Sequence, residues 1–234
     1  MPAADPRLIC ALDLPTRAEA EALVERLGDA VAFYKVGLQL LATDGMAMAA
    51  DLKARGRRVF LDWKLHDIGA TVEKAAAAVC AAGACDLLTV HAEPQVMRAA
   101  VRGRDAAGAR DAKIVGVTVL TSLSGQDLGE LGYGLGVEAL VERRIRQAID
   151  CGLDGVVASP QEAALARRIG GPDFLVVTPG VRPAGAAVDD QARAATPADA
   201  LASGASHLVV GRPITAAAAP REAALRIAAE MAGA

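Results

Sequence analysis

Two opposite charges, Asp62 and Lys64, close an otherwise apolar run, and a second carboxylate, Asp67, stands three residues beyond the lysine. In an extended chain residues two apart share a face, so Asp62 and Lys64 project together, with Phe60 beneath them on the same side. Lys35, in the preceding apolar run, adds a second cation. A buried ion pair is costly to desolvate and contributes little stability, so the group Lys35, Asp62, Lys64 and Asp67, neutral in sum, points to a site rather than a structural pair. Such a network can hold Lys64 protonated while setting a carboxylate beside whatever binds. Asp67 stays open among three placements. It could cap the following helix, turn back toward the same pocket, or reach a neighbouring subunit's pocket.

Other apolar runs also turn polar at or near their ends: Asp13, His91, Thr121 with Ser122, Ser159, then Arg182 past the seventh run and Arg212 after the eighth. Gly211 lets a bare backbone N–H approach an anion, and Arg212 beside it offers a guanidinium for bidentate bonds. Arg182 and Gln191 gain meaning if the loop that holds them closes over a ligand. His66 and His91 sit in no H-E-x-x-H or clustered ligand set, so they read as satisfied structural histidines and no metal is expected. No G-x-G-x-x-G follows the first run and no G-x-S-x-G occurs, so the expected chemistry uses no cofactor.

The elements that must position these residues are eight apolar runs, at 7–13, 32–37, 59–64, 87–91, 113–120, 155–158, 174–178 and 207–210, separated by Ala-rich helical stretches. Near-continuous apolarity suits parallel strands covered by helices on one face and packed inside on the other. Eight such units predict an α/β fold, a (β/α)8 TIM barrel, as a single domain over residues 1–234. The C-terminal mouth of such a barrel holds the active site, and the loops after strands seven and eight often cradle a phosphate, so a phosphorylated ligand is expected. Thr16 and Glu19 form a capping-box pattern after the first run; Pro160, Pro197 and Pro220 mark helix starts; Gly83, Gly152 and Gly204 mark helix ends. The longest irregular stretches, 121–136 with room for a short extra helix and 179–196, have lengths usual for functional loops.

Composition agrees with one soluble globular chain: 234 residues are 53% hydrophobic and 23% charged, with a net charge of -3 and no basic block. Nucleic acid is therefore not an expected partner. The cysteines Cys10, Cys80, Cys85 and Cys151 show no C-x-x-C spacing and read as reduced thiols of a cytoplasmic protein. The uncharged run 75–85 is too short for a membrane span, and the N-terminus lacks a basic leader, so neither membrane nor targeting segment is expected.

The segment Phe60-Leu-Asp-Trp-Lys-Leu-His-Asp-Ile-Gly-Ala-Thr71 closely resembles the D-x-K-x-x-D signature of the orotidine 5'-phosphate decarboxylase family. The resemblance extends through Ala11-Leu-Asp13, Tyr34-Lys35-Val-Gly, Val119-Leu-Thr121-Ser122, Thr178-Pro-Gly-Val-Arg182-Pro, Asp190-Gln191-x-Arg193 and Val210-Gly211-Arg212-Pro-Ile-Thr. Gly69-Ala70 departs from the Pro-Asn of many members, outside the charged core. The resemblance implies a homodimeric barrel that releases CO2 from orotidine 5'-phosphate to give UMP, the last step of de novo pyrimidine nucleotide synthesis, without metal or cofactor. It implies that Asp13 and Lys35 hold the ribose, that Asp62 lies against the substrate carboxylate and that Lys64 gives a proton to C6. Asp67 and Thr71 would enter the partner subunit's site, Thr121 would touch the pyrimidine, and Arg182, Gln191, Gly211 and Arg212 would hold the phosphate. A related 3-keto-gulonate 6-phosphate decarboxylase would share the D-x-K-x-x-D segment but use Mg²⁺, and the Asp190-Gln191-x-Arg193 loop and Thr121-Ser122 argue against it. A silent barrel that merely binds a nucleotide would be marked by loss of Lys64 or Asp67, and both are present.

Overall fold

The computed structural model describes residues 4–183 and 195–233. Eight parallel strands close into a barrel in chain order: β1 (Leu8–Ala11), β2 (Phe33–Gly37), β3 (Arg58–Leu65), β4 (Leu87–His91), β5 (Lys113–Val117), β6 (Gly155–Val157), β7 (Leu175–Pro179) and β8 (His207–Val210), with β8 paired back to β1. This is the (β/α)8 barrel the apolar runs predict. The period-two alternation of each strand divides its residues between two apolar layers. Ile9, Ala11, Phe33, Phe60, Leu87, Val115, Val177 and Val209 fill the barrel interior. Their neighbours, such as Leu8, Cys10, Tyr34, Val36, Val59, Leu61 and Val176, pack outward against the helices.

Among those helices are α1 (Arg17–Leu27), α2 (Leu38–Leu41), α3 (Gly45–Ala54), α4 (Gly69–Ala81), α5 (Pro94–Ala106), α6 (Gly125–Glu130) and α7 (Val137–Asp150). Thr16 caps α1 as its spacing predicts, its side chain accepting from the Glu19 N–H at 3.2 Å. A complete capping box starts α6, the short extra helix of the 121–136 stretch: Ser124 accepts from the Asp127 N–H, and Asp127 accepts from the Ser124 N–H. Gly83 and Gly152 follow α4 and α7 in the left-handed region, at φ 63° and 76°, as helix-ending glycines do. Helices α4 and α5 pack backbone to backbone: a Cβ at Gly103 would stand 2.2 Å from the Glu73 carbonyl oxygen. That contact anchors the helix into which the segment after β3 runs. Among the described residues no helix is long and apolar enough to cross a membrane.

Candidate active site

Strands β1 to β3 bring the charges together on the C-terminal side. Ala11 is in register with Lys35, Lys35 with Phe60, and Gly37 with Asp62, so Lys35 points inward level with Phe60 and Asp62 stands at the next inward position above it. Asp13 stands two residues past the end of β1. Lys35 Nζ lies 2.8 Å from Asp13 Oδ1 and 3.4 Å from Asp62 Oδ2, while Lys64 Nζ lies 2.8 Å from Asp62 Oδ1. The chain of alternating charge therefore runs Asp13, Lys35, Asp62, Lys64. The Lys35 side chain is only 9% exposed and that of Asp62 15%. Burial pushes the Asp62 carboxyl up, but the ammonium groups of Lys35 and Lys64, with hydrogen bonds from Lys64 and Thr89, outweigh it and hold the carboxyl below the ordinary carboxylate range.

Asp62 and Lys64 do share the pocket, but not by simple alternation. Leu61 pairs with Leu88 and Leu65 with Val90, so β3 spends four residues where β4 spends two and bulges between them. At the bulge Lys64 adopts φ 50°, the left-handed region that a long side chain enters at a cost of about 1–3 kcal/mol. Bulges of this kind re-aim side chains next to active sites.

These charges line one side of a cavity of about 590 Å³ at the barrel mouth. Val117 at the end of β5, Val119 and Thr121 beyond it, and Val157 of β6 form a largely apolar wall. Gly180 and Arg182 after β7, with Gly211 and Arg212 after β8, complete the circuit. Arg182 is tied down: its N–H donates to Ala195 O at 3.0 Å and its Nη1 to Val181 O at 3.1 Å. The structure thus brings Asp13, Lys35, Asp62, Lys64, Thr121, Arg182, Gly211 and Arg212 around one cavity. Gln191 lies outside the described residues.

Asp67 and Thr71 are exposed and do not line this cavity. Nor does Asp67 cap α4, whose N-cap is Ile68; its Oδ1 accepts from the Ile68 N–H at 2.6 Å. Of its three expected placements, the cap and the return to its own pocket are not what the chain adopts. Three of the polar strand ends also lie away from the cavity lining: His91, Ser122 and Ser159. The Ser159 N–H donates to Glu162 at 2.9 Å, and the His91 ring tilts against His66 with centroids 5.0 Å apart.

Sequence reasoning passed over Thr89, fully buried on β4, and Gly37, whose absent side chain makes room for the Asp13 and Lys35 pair. A single hydroxyl in Leu87-Leu-Thr-Val-His91 was the available signal for the first.

Fold and site together define a (β/α)8-barrel enzyme that sets its charged groups on strand ends at the C-terminal mouth. Known proteins narrow that class. The chain belongs to the orotidine 5'-phosphate decarboxylase / HUMPS family, whose match spans residues 6–227. It is 69% identical to an orotidine 5'-phosphate decarboxylase of Caulobacter sp. (strain K31) over 98% of this chain and 99% of that one. It is 56% identical to one of Methylobacterium radiotolerans, covering 98% of each chain. Among solved structures, the orotidine 5'-phosphate decarboxylase of Lactobacillus acidophilus superposes with a TM-score of 0.85 at 36% identity, over 97% of this chain and 99% of that chain.

Proposed function

We propose that this chain decarboxylates orotidine 5'-phosphate to UMP and CO2 in pyrimidine nucleotide synthesis, with Lys64 as proton donor to C6 and with no metal or cofactor. The observation that carries the reading is the Lys64 ammonium held 2.8 Å from Asp62 at a cavity with an apolar wall. When the bond from C6 to the carboxylate breaks, its electron pair stays on C6 and needs a positive charge already in place. The ammonium supplies that field, which is stronger where water is excluded. It then transfers a proton to C6 and regains one from solvent after product leaves. A metal would duplicate the charge that Lys64 provides.

The remaining residues take roles that fit their places. Asp13 and Lys35 hold the ribose hydroxyls, Thr121 the pyrimidine, and Arg182, Gly211 and Arg212 the phosphate; Gln191, outside the described residues, is assigned to the phosphate by the sequence alone. Asp62, near the departing carboxylate, orients Lys64. Phosphate binding far from C6 contributes through geometry, since remote binding energy can be spent on the reacting arrangement. The chain acts as a single-domain barrel in a cytoplasmic homodimer, and Asp67 and Thr71, which do not line their own cavity, serve the partner's.

The test follows orotidine 5'-phosphate absorbance in the presence of a chelator, for the wild-type chain and Lys64→Ala. Wild-type turnover should persist with chelator, and Lys64→Ala should form no product while still binding UMP. Undiminished turnover by Lys64→Ala overturns the assignment of the lysine, and turnover abolished by chelator overturns cofactor independence.

A further inference from the structure

Thr89 closes a hydrogen-bonded ring around Lys64. Its Oγ1 accepts the Lys64 backbone N–H at 2.8 Å and lies 3.1 Å from Asp62 Oδ1, to which it donates. That same carboxylate oxygen accepts from Lys64 Nζ at 2.8 Å. The lysine is therefore gripped at both ends, through its amide and through its ammonium, by groups that Thr89 joins. The grip falls where β3 bulges, at the one non-glycine residue of positive φ among those described. An amide displaced from the regular ladder needs a partner inside the protein, because an unsatisfied buried donor is costly. Thr89 is fully buried, so water does not stand in for it. Its one proton has a second possible acceptor, Leu61 O, but at the longer distance of 3.5 Å.

We infer that Thr89 is a positioning residue, whose hydroxyl fixes the Lys64 bulge and the Asp62 carboxylate together so that the ammonium is aimed into the cavity. The inference rests on the proposed role of Lys64. Thr89 touches neither the cavity nor, on that reading, the substrate; it acts through the two residues that do. Asp62 faces Lys35 from β2 and Lys64 from its own strand, with Asp13 beyond Lys35. These charges remain when the hydroxyl is removed.

The experiment compares Thr89→Val, which keeps the shape and deletes the hydroxyl, with Thr89→Ser, which keeps the hydroxyl and deletes a methyl. Turnover of orotidine 5'-phosphate should fall about tenfold or more in Thr89→Val with KM little changed, since small misplacements of reacting groups are expensive. The Asp62 carboxyl, followed by carbon NMR, should titrate at higher pH in Thr89→Val than in the wild type, whereas Thr89→Ser should recover both wild-type turnover and titration. Should Thr89→Val not fold, Thr89→Cys, which weakens both bonds at similar volume, takes its place with the same expectations. Unchanged turnover and unchanged Asp62 titration in the folded variant overturn the inference, as does a serine variant as impaired as the valine one. A wild-type chain with no turnover would instead sink the proposed function, and the Asp62 titration, which needs no substrate, would still decide whether Thr89 holds the carboxylate.

Discussion

Gly37 shows how the absence of a side chain can matter as much as a charge. Its backbone, at φ -94° and ψ -173°, is extended and open to any residue, so strain does not demand glycine there. Space does. A Cβ would stand 2.6 Å from Asp13 Oδ1 and 2.8 Å from Lys35 Nζ, inside the contact that pairs them. Both atoms are ends of mobile side chains, so Gly37→Ala should fold and instead push the two apart. With Asp13 and Lys35 as ribose ligands, KM for orotidine 5'-phosphate should rise about tenfold or more, a hydrogen bond to a charged group being worth about 1.5–3 kcal/mol. The melting temperature should move little. Steady-state kinetics beside thermal unfolding checks this, and an unchanged KM would show that the pair does not hold substrate.

At the scale of elements, the opposite end of the barrel offers a pH test. His207, first residue of β8, stands perpendicular to the Phe33 ring with centroids 5.9 Å apart, while the Arg58 guanidinium lies over the Phe33 ring at 4.2 Å. Burial, helped by the Arg58 charge, pushes the imidazole down from 6.5 to about 4. In the unfolded chain the same ring takes its proton near 6.5, so between the two values the unfolded state binds more protons. Stability should therefore be full above pH 6.5 and fall as pH drops toward 4, by at most about 3 kcal/mol from this group. Urea midpoints at pH 7 and pH 5 should differ more for the wild type than for His207→Gln, and equal differences would remove His207 from the account. The strands that build this pole were legible in the sequence because burial on both faces leaves continuous apolar runs. The runs overshot where pairing stops: β5 ends at Val117 rather than at 120, since its neighbour β6 ends at Val157. The site was legible as residue types at strand ends. The bulge at Lys64 was not, because an extra pair of residues in one strand is defined only against the register of its neighbour.

For the whole molecule the position of Asp67 makes a prediction. One chain leaves it exposed and outside its own cavity, beside Ile68 at 76% exposure. A large apolar side chain so exposed fits a surface covered by a second copy. In a dimer with twofold symmetry each such segment would meet the other chain, so every complete site would take Lys64 from one chain and Asp67 from its partner. Asp67→Asn and Lys64→Ala should each be inactive when alone. A hybrid dimer of the two has one site lacking both groups and one site with both intact. Random exchange makes half of the dimers hybrids, so mixing equal amounts after unfolding and refolding together should restore about a quarter of wild-type turnover. Had Asp67 served its own chain's cavity, every site in the mixture would lack one group, and refolding the two together would restore nothing.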